Sequence, residues 1–193
     1  MNLLAHAYLS GKSKNILIGN FIADFIKGNK FRHYSEEIIQ GIHLHRKIDE
    51  YTDHHPVVKE SISHLRPQFN RYAGVIVDIF YDHFLAVNFN TYSDLTLADF
   101  SKDTYEILES EKEILPEKVQ EFLPYMIGQN WFVRYADLEG IERSLKGLSR
   151  RSKFVDNLES SVQALEFYYD DFDREFNRFF PELMVFVQNQ LDI

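Results

Sequence analysis

The chain contains no cysteine among its 193 residues. That excludes a disulfide framework and any thiolate nucleophile, and it leaves histidine and carboxylate as the side chains able to hold a metal. No apolar run approaches the roughly 20 residues needed to span a bilayer. The opening stretch MNLLAHAYLSGKSKN has no basic leader ahead of a long apolar core. The expectation is a soluble, cytoplasmic protein with no membrane partner. Positive charge is also in short supply, with 21 Lys and Arg against 30 Asp and Glu for a formal charge of −9. Such a balance repels nucleic acid, so non-specific binding to it is excluded as a function. There is no low-complexity linker and no internal repeat.

What is present is a globular core. Hydrophobic residues make up 45% of the chain, with 17 Phe, 11 Tyr and one Trp, a composition that rules out disorder. The length favours one domain over residues 1–193. Apolar residues recur at spacings of three and four while alternating stretches are short, so the expected fold is all-α, a single compact multi-helical domain. Helices are predicted over about 2–10, 15–27, 35–54, 56–66, 68–89, 96–112, 117–128, 130–148 and 152–180, with a last one after Pro181. Gly11, Gly28, Pro56, Pro67, Asn88 to Ser93, Pro116, Pro124 and Pro181 are read as helix punctuation. Ser35 and Thr96 are read as N-terminal caps.

All eight histidines fall in the first 83 residues, and turning the helices by 100° per residue separates their roles. Ile38 and Ile42 define the inward face of the third helix, and His45 and Asp49 fall on it, whereas His43 points to the side of Lys47 and Glu50. A buried histidine and carboxylate one turn apart must hydrogen-bond or bind something. In the apolar segment Gly74 to Leu85, Asp78 and Asp82 lie one turn apart on one stripe, and two buried carboxylates ionise together only beside a cation. Salt bridges to Arg46 or Arg71 are the structural alternative. His6 and Asp24 interrupt apolar helices, each four residues after an asparagine, Asn2 and Asn20, able to orient it. Together these residues describe a nitrogen and oxygen site for Mn²⁺, Mg²⁺, Fe or Zn²⁺. The absence of any Glu-x-x-His argues against a di-iron carboxylate bundle.

Met-Asn-Leu-Leu-Ala-His, Gly19-Asn20-Phe21-Ile22-Ala23-Asp24-Phe25, Gly41 through Asp49, Thr52-Asp53, Asp82-His83-Phe84-Leu85, Trp131 through Tyr135 and Ser149-Arg150-Arg151 occur in that order. In these strings, which span essentially the whole chain, the sequence resembles the acyl carrier protein phosphodiesterases. The resemblance implies removal of the 4′-phosphopantetheine arm from holo acyl carrier protein, with a divalent metal, usually Mn²⁺. It also implies a distant relation to HD phosphohydrolases and hence an HD-like helical core, although this chain has only the reversed dipeptide Asp82-His83. The expected ligand pool is His6, Asp24, His45, Asp49, Asp78 and Asp82, with His83 or His43 donating a proton to the leaving group. The carrier substrate is acidic, which calls for a local basic face. Arg143, Lys146, Arg150, Arg151 and Lys153 form such a run without an acid among them, and Arg46 and Arg134 are further candidates for substrate contact. An HD-type hydrolase of nucleotides or small phosphate esters, and a metal-free helical interaction module, are the alternatives.

Overall fold

The computed structural model describes residues 1–151 and 157–191. Helices fill it, and there is no strand among the described residues. In chain order they are α1 (Leu3–Tyr8), α2 (Lys14–Ile22), which runs on as a 3₁₀ turn over Ala23–Phe25, α3 (Glu36–His54), α4 (Pro56–Phe69), α5 (Ala73–Val87) and α6 (Phe89–Tyr92). Then follow α7 (Leu97–Ser110), α8 (Glu117–Gly128), α9 (Trp131–Arg134), α10 (Leu138–Arg151), α11 (Val162–Phe167) and α12 (Tyr169–Leu191). One apolar core runs from Met1 to Val187, and among the described residues no helix is long and apolar enough to cross a membrane. α5 lies at its centre, with Ile76, Val77, Phe80, Tyr81 and Phe84 fully buried, as its apolar circumference requires. The predicted caps are in place: the Ser35 hydroxyl accepts from the Ile38 amide and the Thr96 hydroxyl from the Asp99 amide.

Three prolines behave otherwise than expected. Pro67, Pro124 and Pro181 all lie inside helices, α4, α8 and α12. An interior proline costs about 3 kcal/mol. Around Pro181 that cost is offset by the burial of Phe176, Phe179, Phe180, Leu183 and Val187 along one stripe of α12. The stretches predicted as 130–148 and 152–180 are instead broken, the first between α9 and α10, the second between α11 and α12 at Tyr168. Residues 152–156, including Lys153, lie outside the described residues.

The contact that positions the rest is the crossing of α2 and α3. A Cβ placed on Gly19 would sit 2.0 Å from the Ile38 carbonyl oxygen, and one on Gly41 would sit 2.3 Å from the Ile16 carbonyl oxygen. The two backbones therefore touch, with no room for any side chain at either crossing point. This closeness carries Asn20 and Asp24 up against His45 and Asp49. Gly41→Ala drives a methyl into backbone that cannot swing aside, and is expected to cost roughly 3 kcal/mol, the upper range for overpacking a core. Urea denaturation checks it, and a loss below about 1 kcal/mol would contradict the close crossing.

Candidate metal centre

Four elements supply the site. His6 comes from α1, Asn20 from α2, Asp24 from the 3₁₀ turn, and His45 and Asp49 from one face of α3. Two imidazoles stack at its heart, His6 on His45, with ring centroids 3.8 Å apart and planes 15° from parallel. Both are buried, and each has one ring nitrogen committed. The Asn20 amide nitrogen donates to the His6 carbonyl and the Ser10 hydroxyl, which turns the Asn20 side-chain oxygen to His6 Nδ1 at 2.8 Å. The backbone carbonyl of the same Asn20 accepts from His45 Nδ1 at 2.7 Å. Asn20 thus orients both rings rather than Asp24, while the Asn2 side chain hydrogen-bonds Tyr135.

With both Nδ1–H groups engaged, the neutral rings turn their Nε2 lone pairs on Asp49. His6 Nε2 lies 3.1 Å from Asp49 Oδ1, and His45 Nε2 lies 3.1 Å from Asp49 Oδ2 and 3.1 Å from Asp24 Oδ1. Acceptor facing acceptor at such distances requires a proton or a cation between them. Without a metal, the proton goes to His45. Burial alone would lower its pKa, but the hydrogen bonds to Asp24 and Asp49 outweigh it and raise the ring to about 9. His6 is pushed down by burial and then by the charge on His45. Burial would raise Asp49, yet the two histidines against it hold it well below the usual carboxylate range. The ligand atoms of His6, His45 and Asp49 all lie within 4.8 Å of one another. Two imidazoles and a carboxylate, with the far ring nitrogens fixed by carbonyl-type acceptors, suit a divalent ion such as Mn²⁺, Fe²⁺ or Zn²⁺. Asp24 is two-thirds exposed beside them.

The remaining candidates from the sequence have other partners. Asp82 is fully buried, but its two oxygens accept from the Leu4 amide at 2.9 Å and the Ala5 amide at 3.0 Å. It thereby caps the N-terminus of α1, whose own Asn2 makes no side-chain cap. Burial pushes Asp82 up to about 7 against the lowering effect of those two amides. Asp78 pairs with the Met1 amino group at 3.0 Å instead of with Asp82, Arg46 or Arg71. Burial would lower that amine, but Asp78 and Asp49 raise it to about 10. His83 donates from Nδ1 to the Tyr135 carbonyl and accepts at Nε2 from the Tyr169 hydroxyl, so both its nitrogens tie helices together. His43 is exposed, edge-on to Phe31, and the Arg46 guanidinium lies over that same ring.

Asp49 and Asp24 open onto a cavity of about 620 Å³, whose wall also carries Asp53, Asp78, Arg134 and Arg143. Neither His43 nor His83 lines it. The Arg134 Nε donates to the Gln129 carbonyl and Arg143 pairs with Glu139. Lys146 and Arg150 are exposed on α10 and do not line the cavity; the side chain of Arg151 is not among those described. Asp53 and the Met1 amine escaped the sequence reading. Asp53 stands next to Thr52 in the shared string, one turn after Asp49, and that spacing was its only signal.

Fold and centre together describe a helical protein with a buried histidine and carboxylate site opening on an arginine-bearing cavity. The model of the acyl carrier protein phosphodiesterase family matches residues 1–183. Proteins named acyl carrier protein phosphodiesterase are similar along almost their whole length: one from Photorhabdus laumondii is 38% identical over 98% of this chain and 96% of its own. Those from Klebsiella pneumoniae strain 342, 36% identical over 98% and 99%, and Escherichia coli CFT073, 35% identical over 95% and 96%, are alike in the same way. The chain belongs to the acyl carrier protein phosphodiesterase family. No solved structure matches it.

Two measurements follow from the geometry. At pH 7 the metal-free His45 is protonated and must be neutral to bind a cation, so Mn²⁺ binding should release about one proton and tighten as pH rises toward 9. Calorimetry in buffers of different ionisation enthalpy reads the release, which His45→Ala should remove. Asp82→Ala leaves two buried amides without an acceptor, an expected cost of about 2–4 kcal/mol. It should also weaken Mn²⁺ binding about tenfold or more through the loosened His6; unchanged affinity would show that the cap does not position that ring.

Proposed function

We propose that the protein hydrolyses the phosphodiester joining 4′-phosphopantetheine to the serine of a holo acyl carrier protein, giving apo carrier and 4′-phosphopantetheine. His6, His45 and Asp49 hold the divalent cation, Asp24 completes the set, and Mn²⁺ is the preferred ion, with Mg²⁺, Fe²⁺ or Zn²⁺ as substitutes. The observation that carries the reading is the convergence of two buried Nε2 lone pairs on one carboxylate, at the wall of a cavity that also presents two arginines. The family and the names of the relatives support the choice of substrate. The enzyme acts in the cytoplasm, alongside its carrier.

When bound, the cation supplies Lewis acidity, neutralising phosphoryl oxygens and activating water. The chain's own residues do the rest. Arg134 and Arg143 hold the non-bridging phosphate oxygens, for which a guanidinium offers a planar pair of donors. Asp78 stays occupied with the Met1 amine and, with Asp49, keeps that end of the cavity anionic. His43 and His83, outside the cavity, leave the proton for the departing serine oxygen to Asp53. Burial and then the neighbouring Asp78 raise its carboxyl above the ordinary range, so it keeps a proton to higher pH than a free aspartate.

The test is incubation of the protein with holo carrier and Mn²⁺, with and without EDTA, followed by intact-mass spectrometry of the carrier. The expected result is loss of the phosphopantetheine mass only with metal, and no loss with Asp49→Ala or Asp24→Ala at unchanged helical circular dichroism. Turnover that survives EDTA would remove the metal from the reading, and turnover by Asp24→Ala would remove that residue from the ligand set.

A further inference from the structure

The metal cavity does not end at Asp24. A wider cleft of about 1380 Å³ lies alongside, and the two share Asp24, Phe25 and Phe122. The shared rings form a partition: Phe25 tilts against Phe122 at 5.3 Å, and Phe122 stacks on Trp131 at 5.8 Å, with planes 6° apart. The two spaces differ in chemistry. The wide cleft has an apolar wall, including Ile26, Ile114, Leu115 and a Tyr125 left 66% exposed. Lys27, Lys30 and Lys118 line it as well.

Among the described residues none of these three lysines is engaged in an ion pair, not even with Glu113 or Glu121 of the same cleft. Residues 25–35 carry Lys27, Lys30 and Arg32 and no acid, in a chain with nine more acids than bases. The Tyr34 hydroxyl fastens this segment across the cleft to the Ile114 carbonyl at 3.0 Å. The smaller cavity offers uncharged hydrogen-bonding groups, Asn2, Gln129 and Ser144, beside Trp131 and Leu148.

A phosphodiester held by Arg134 and Arg143 beside the cation site of Asp49 and Asp24 sends its two halves in different directions. On the reading proposed above, one half is a folded protein and the other a slender, uncharged chain with two amides. Three unpaired lysines have nothing to neutralise on a neutral diamide. They suit carboxylates, and the apolar wall between them suits the exposed apolar residues of a helix. We propose that the carrier seats an acidic, partly apolar helical surface in the wide cleft at Lys27, Lys30 and Lys118, while its arm enters the smaller cavity along Asn2, Gln129 and Ser144. The basic run on α10 is then not the docking face. Arg143 lines the cavity of the arm, and Lys146 and Arg150 line neither space.

The inference rests on the carrier-phosphodiesterase reading, and three variants with two probes separate their failures. The variants are Lys27→Glu with Lys30→Glu, Lys146→Glu with Arg150→Glu, and Gly147→Leu. Among the described residues a Cβ at Gly147 meets nothing within 4 Å, so leucine there adds bulk at the wall of the smaller cavity. The probes are holo carrier, followed as substrate, and apo carrier, which lacks the arm and is read as a competitive inhibitor. The cleft pair should raise the KM of holo carrier and the inhibition constant of apo carrier about tenfold or more, and the α10 pair should change each less than about twofold. Gly147→Leu should lower kcat/KM for holo carrier about tenfold while leaving inhibition by apo carrier within about twofold. Circular dichroism confirms the fold of each. Constants that move with the α10 pair and not with the cleft pair overturn the proposed orientation while leaving the activity standing. Failure of the wild-type protein with Mn²⁺ to release the arm refutes the underlying reading and the orientation with it.

Discussion

The backbone contact between α2 and α3 at Gly19 and Gly41 is the constraint on which the metal centre depends. Only glycine permits carbonyl oxygens to lie where a Cβ would stand, and the resulting separation is what lets one residue, Asn20, serve both histidines. Its carbonyl reaches His45 because the helices touch, and its side chain reaches His6 because α1 also packs against α2. A wider crossing would leave His45 Nδ1 without an acceptor and its tautomer undefined. The 3₁₀ turn that follows α2 belongs to the same device, since it tightens the helix end and presents Asp24 beside His45.

The second organising element is a division of labour among the charges at the cavity. A −9 chain that gathers Asp24, Asp49, Asp53 and Asp78 around one cavity must hold their repulsion in check. Asp82 is removed from the cluster by two amides of α1, and Asp78 by the Met1 amine. Asp49 is held by the two histidines, with the Met1 amine 3.6 Å away. Asp49 is the acid set between paired imidazoles, and Asp24 shares His45 with it. Asp82, at the far end of that arrangement, holds α1 in place and with it the His6 ring.

The sequence made much of this legible. The inward placement of His45 and Asp49 on α3 is a matter of helical period, and the structure brings both together with His6. The same reasoning showed that Asp82 is buried and needs a partner. It could not identify that partner, because backbone amides leave no mark in a sequence and Leu4 is 78 residues away. His83 stood next to Asp82 in a shared string, yet adjacent residues on a helix point about 100° apart, and it turned to Tyr135 and Tyr169. Arg143 and Lys146 read as one basic run, yet Arg143 lines the cavity and Lys146 does not.

By itself the sequence determined the helical class, the apolar circumference of α5, the family and the residue types available to a metal, since periodicity, composition and local strings are properties of the chain alone. The tertiary structure decided which acids meet which donors, that α12 runs through Pro181, and that Lys27 and Lys30 line a cleft adjoining the metal centre. Those outcomes depend on distances between residues far apart in the chain. Such distances are set by how closely helix backbones approach and by which face each helix buries.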